Sequence, residues 1–99
     1  MTRVAAYVPD LMDRSKVASA GDVVFVTTPA ELAGTPADLV VLALSRPGVL
    51  EVVRELGGVR TVGFASHVDQ ELLAAAGAAG CDEVLPRSRF FARLGELLA

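Results

Sequence analysis

The sequence predicts a doubly wound α/β domain over residues 1–99, with five parallel strands in the order 2-1-3-4-5 and helices on both faces. Apolar runs of strand length alternate with segments of helical period along the whole chain. Each switch between them is punctuated by Gly, Pro, Ser, Thr or Asp. Three of the runs are nearly continuous in Val and Leu, as strands buried on both faces of a parallel sheet are. Right-handed crossovers then place the intervening helices on both sides of that sheet.

The first strand is read over Arg3 to Val8 and the first helix over Leu11 to Ser19, with Asp10 as its cap, Asp13 in the first turn and Gly21 just past the end. A strand over Asp22 to Val26 precedes a short helix from Pro29 to Ala33. There Thr28-Pro29-Ala30-Glu31 has capping-box spacing with Pro at the first helical position, and Gly34 closes the turn. The strand Asp38 to Leu44 leads to a helix from Gly48 to Leu56, whose stripe is Val49, Leu50, Val52, Val53 and Leu56 and whose stop is Gly57-Gly58. Arg60 to Phe64 is the fourth strand. A helix from Val68 to Ala79 follows, with Ser66 and Asp69 in a box-like start and Gly80 at the left-handed exit. A short strand, Glu83 to Leu85, is followed by a last helix from Phe90 to Leu98, with Ser88 as cap. No linker, repeat or low-complexity tract interrupts the pattern. The strand order is the flavodoxin-like one, in which ligands bind between the loops after strands one and three, here Pro9 and Asp10 facing Ser45, Arg46 and Pro47.

Composition narrows the function classes. At 53% apolar and 21% charged, 99 residues can bury a core and fold as one domain. A net charge of -3 argues against gripping a nucleic acid backbone or an anionic membrane. One Cys forms no internal disulfide, and the first apolar run is stopped by Pro9 and Asp10, so the expected location is cytoplasmic. Eight Arg against one Lys, with neither Ile nor Asn, point to a GC-rich, bacterial coding sequence, so each Arg is weak evidence of design. There is no G-x-G-x-x-G, no P-loop, no G-x-S-x-G, no H-E-x-x-H and no D-x-H-x-x-G, and five aromatics in short loops suit flavin poorly. No cofactor is expected. His67 has no second His or Cys at ligand spacing, so no metal is expected either. Cys81 reads as a small buried residue and Asp38 as a turn residue at a strand entrance.

Two blocks carry a resemblance. Ala37-Asp38-Leu39-Val40-Val41-Leu42-Ala43-Leu44-Ser45-Arg46-Pro47-Gly48 resembles the third strand and following loop of response-regulator receiver domains, the CheY-like family, which read P-D-L-V-L-L-D-L-x-x-P-G. Ala79-Gly80-Cys81-Asp82-Glu83-Val84-Leu85-Pro86-Arg87-Ser88-Arg89-Phe90 resembles their A-G-A-D-D-Y-L-x-K-P-F. The resemblance implies a phosphoryl-accepting Asp at the end of strand three, a cation held by acids after strand one, a hydroxyl after strand four and a Lys after strand five. Carried over residue by residue, the acceptor falls on Ala43, expected to be buried, and the acidic pair near Val8, Pro9 and Asp10. The hydroxyl falls on Ala65 or Ser66 and the Lys on Arg87, with Ser88 where the family has Pro. The implied protein is a receiver-like signalling or interaction module without phosphotransfer, and not an enzyme.

Two sets of contact residues follow. Arg46, His67, Arg87 and Ser88, with Ser66, lie in loops at the carboxyl edge and could take phosphate or a carboxylate, which makes a small-anion or phosphometabolite sensor the alternative function. The face formed by the helix 68–79, the strand 83–85 and the helix 90–98 is expected to bind a second copy or another protein, through Leu72, Ala76, Val84, Phe90, Phe91, Leu94 and Leu98. Five large apolar residues within nine exceed what one buried stripe needs.

Overall fold

The Val- and Leu-rich runs form the sheet of a computed structural model that describes residues 2–99. In chain order the elements are β1 (Val4–Tyr7), α1 (Leu11–Ala18), β2 (Val23–Phe25), a 3-10 turn (Pro29–Gly34), β3 (Leu39–Ala43) and α2 (Val49–Glu55). They continue with β4 (Arg60–Ala65), α3 (Gln70–Ala78), β5 (Glu83–Pro86), α4 (Arg87–Ala92) and α5 (Leu94–Leu97). The strands are all parallel and lie in the order β2-β1-β3-β4-β5, as the pattern predicts. Val4 stands beside Leu39, Leu39 beside Arg60 and Val62 beside Glu83.

Because successive strand residues face opposite ways, the sheet divides the core in two. Val4, Ala6, Val8, Leu39, Val41, Val62, Phe64 and Leu85 meet Val17 of α1 and Phe90, Leu94, Leu97 and Leu98. Ala5, Tyr7, Val40, Leu42, Leu44 and Ala65 meet Leu32 of the 3-10 turn, Val49, Val52 and Val53 of α2, and Ala76 of α3. Each fully buried Val, Leu or Phe contributes about 1.5–3 kcal/mol of transfer free energy. Leu44 crosses Gly63 so closely that a Cβ there would sit 2.7 Å from its Cδ2. Among the described residues no helix is long and apolar enough to cross a membrane.

Three local expectations are corrected. The last helix is two short ones, starting at Arg87 behind Pro86 and broken at Arg93 (φ -104°, ψ 11°), so Ser88 lies in the first turn of α4 and caps nothing. The break re-aims the chain and lets Phe90, Leu94, Leu97 and Leu98 all enter one core layer. The helix after β4 starts at Gln70, not Val68: Asp69 makes no side-chain cap, its N–H donates to the Ser66 carbonyl at 3.0 Å, and Ser66 to Asp69 is a turn. The segment after Thr28 winds as 3-10, with Glu31 Oε2 accepting from the backbone N–H groups of Thr27 (3.1 Å) and Thr28 (2.7 Å).

Candidate functional site

The carboxyl ends of β1, β3 and β4 and the start of α4 enclose a depression of about 250 Å³. Its lining is Pro9, Asp10, Asp13, Ala43, Ser45, Arg46, Phe64, Ala65, Ser66, Asp69 and Arg87. Ala43, the last residue of β3, is beside Phe64 in register and is half-buried, not fully buried as expected, because the depression opens over it. Its methyl group has nothing with which to attack a phosphorus.

The β1 loop supplies two carboxylates, and both are engaged. Asp10 caps α1, its Oδ1 accepting from the N–H groups of Met12 and Asp13 at 3.0 Å each. The Asp13 N–H does most to hold the Asp10 carboxyl below the usual carboxylate range, with smaller help from Met12, Arg87 and Arg46. Asp13 is 5% exposed at its side chain and receives Arg87 bidentately, Nη1 on Oδ2 and Nη2 on Oδ1. The bonds to Asp13 raise the Arg87 guanidinium above its ordinary value. Arg87 also lies 5.1 Å from the centre of the Phe91 ring, as does the Lys16 ammonium. Phe91 meets Phe64 edge-on at 5.5 Å, and Phe64 stacks on Phe90 at 4.4 Å. The ion pair therefore rests on an aromatic cluster that reaches from α4 to the wall of the depression.

The structure sorts the expected residues. Pro9, Asp10, Ala43, Ser66 and Arg87 do come together in one place. Of the expected anion ligands, Arg46 and Arg87 reach the depression, whereas His67 and Ser88 do not line it. His67 sits in the turn before α3, where its carbonyl accepts from Gln70 Nε2. Three carboxylates, Asp10, Asp13 and Asp69, outnumber the two guanidiniums, so the local charge disfavours an anion. Among the described residues no His, Cys, Asp and Glu side chains cluster as a metal site. Asp13 was missing from the expected pocket. Its signal was its place four residues before Val17 on the buried side of α1, where a carboxylate needs a partner.

The residues expected at an interface do not form one exposed face. Ala76, Phe90, Leu94 and Leu98 are buried in the chain's own core. Leu72 and Val84 pack half-buried against one core layer and Phe91 against the other, so the three share no face. Among the described residues the large exposed apolar side chains are Leu11, Met12, Val24 and Val68. Cys81 is buried as expected, and burial pushes its thiol up. Asp38 ties strand entrances together, its Oδ2 accepting from Arg3 N at 2.9 Å.

No protein-family profile and no curated protein matches the chain in sequence. Solved structures match in fold. The receiver domain of the TMAO respiratory system response regulator TorR superposes with a TM-score of 0.80 at 16% identity, covering 99% of this chain and 97% of that one. Response regulator RPA3017 of R. palustris, in red light signaling, gives 0.80 at 14% identity over 98% and 91% of the two chains. A response regulator from Hahella chejuensis gives 0.78 at 18% identity over 99% and 92%. At these identities the likeness is one of fold: the chain has the response-regulator receiver fold.

Proposed function

We propose that this receiver-fold chain is a signalling or protein-interaction module that works without accepting a phosphoryl group. The observation that carries the proposal is the carboxyl end of β3, where the acceptor position holds Ala43. The surroundings agree with it. Phosphoryl transfer of the kind the receiver resemblance implies needs a carboxylate nucleophile at the end of β3 and a cation held on free carboxylates. Asp10 is spent on the cap of α1 and Asp13 on Arg87. Arg87, which the receiver resemblance sets in the place of a phosphate-binding Lys, is turned to a carboxylate of the chain itself. Leu11 and Met12 next to Asp10, and Val68 next to Asp69, stand 73–78% exposed beside the lining residues. Apolar side chains in water next to the site suit a protein partner better than a small polar ligand. The setting we propose is cytoplasmic.

Intact-mass measurement after incubation with acetyl phosphate and Mg2+ tests this reading, with an unchanged mass expected. A stoichiometric, acid-labile adduct would refute it. Arg46 favours a second reading, a small-anion sensor, because its guanidinium lines the depression and no salt bridge holds it among the described residues. Titration with phosphate and sulfate decides that one: saturable shifts of the Ser45 and Arg46 amides support it, and their absence rejects it.

A further inference from the structure

The two edges of the sheet are finished differently. At the β5 edge Glu83 binds Arg60 at 3.1 Å and Arg93 at 2.7 Å, and Pro86 has no N–H to offer, so that edge is charged and short of donors. At the β2 edge Val23, Val24, Phe25 and Val26 follow one another without a charge or a proline. A parallel ladder uses alternate residues of each strand. Here the Asp22 carbonyl accepts from Val4 N at 3.3 Å and Val26 N donates to the Ala6 carbonyl at 3.0 Å, with Val24 between them opposite Ala5. The backbone N–H and C=O groups of Val23 and Phe25 therefore point away from β1, and no loop or turn bond among the described residues reaches them.

Val24 adds a side chain to this row of open groups. Val23 and Phe25 pack against the layer of α1, α4 and α5, whereas Val24 and Val26 face the layer of the 3-10 turn. Pro29–Gly34 is only six residues long and leaves Val24 57% exposed.

We propose that β2 pairs with β2 of a second copy of this chain, antiparallel about a two-fold axis at Val24, joining two sheets into one of ten strands. A second copy is the occupant because the strand is complementary to itself. The axis sets Val23 opposite Phe25 of the other copy, where the outward groups of both can exchange hydrogen bonds, four in all. It sets Asp22 opposite Val26, so the one charged residue within the paired segment 22–26 meets no like charge, while the Arg14 guanidinium lies 4.7 Å from the centre of the Phe25 ring on the α1 side. Val24 faces Val24 in the close, non-hydrogen-bonded position, with Cβ atoms about 5 Å apart, and each covers the other. Antiparallel joining sends the two carboxyl edges in opposite directions and leaves both depressions open. The inference does not depend on the function proposed above.

Sedimentation equilibrium of the full chain between about 10 µM and about 1 mM is the test, with a monomer–dimer equilibrium expected in that range. Val24→Lys, which sets like charges against each other at an exposed position, should weaken the dimer at least about tenfold while circular dichroism is unchanged. Val24→Cys should oxidise to a covalent dimer well ahead of Ala78→Cys, a control at an exposed position on α3, because Cys81 is buried and does not compete. A monomer throughout the range overturns the proposal. So does a dimer indifferent to Val24→Lys, or cross-linking no faster than in the control.

Discussion

Removing either partner of the Asp13–Arg87 pair should have unequal consequences, because the two groups are unequally buried. Asp13 is 5% exposed at its side chain and Arg87 is 46% exposed. Arg87→Ala strands a carboxylate in the protein and should cost about 2–3 kcal/mol in urea denaturation. Asp13→Asn leaves a guanidinium that can turn to water, and about 1 kcal/mol is expected. Equal losses would mean that the pair is no more than a surface contact. Acid titration is the second expectation at this scale. The Asp10, Glu31 and Asp38 carboxyls are held low by the donors they face: the Asp13 N–H, the Thr27 hydroxyl and the Arg3 N–H in turn. A carboxyl lowered by folding adds stability above its unfolded value, about 4, and loses it as pH falls through the folded one. The urea midpoint should therefore drop on acidification below about pH 4, and Asp10→Asn, which keeps a capping oxygen, should flatten the drop. Asp10 as a cap was legible in the sequence, since its donors lie two and three residues away.

Among the elements, the end of the chain separates what a pattern shows from what it hides. Phe90, Phe91, Leu94, Leu97 and Leu98 have helical spacing, and a continuous helix would carry a stripe too wide for one neighbour. The turn at Arg93 removes the surplus by rotating the second half, so Leu94 is 8% exposed and Leu98 4%. Leu94→Glu should consequently unfold the chain, seen as a loss of the cooperative thermal transition, and should not merely alter its association state. In β4, Gly63→Ala should cost about 1–3 kcal/mol, because the new methyl meets the Leu44 side chain inside 3.0 Å. Gly63 gave no such warning in the sequence: its neighbour, Leu44, comes from the turn after β3.

On the scale of the whole molecule, restoring an acceptor should not restore a reaction. Ala43→Asp would add a fourth carboxylate to a depression that already holds Asp10, Asp13 and Asp69, and the crowding should raise its pKa. Asp13 would remain bound to Arg87 and Asp10 to the first turn of α1, which leaves Asp69 as the lining carboxylate engaged by neither. Intact mass after acetyl phosphate should stay that of the unmodified variant, and an adduct at the variant position would show that the Asp13–Arg87 pair opens readily. The strand order, the two-sided burial and the placing of Ala43 at a strand end were all determined by the sequence. Period and turn residues act over a few residues at a time, and the handedness of each strand–helix–strand crossover then leaves few arrangements open. Only the tertiary structure decided that Asp13 meets Arg87, 74 residues away, and that the terminal helix breaks. It also decided that Val24 stands exposed on β2 while Phe90, Leu94 and Leu98 are buried. Such contacts join positions whose separation along the chain exceeds any local period, so packing in three dimensions has to choose them.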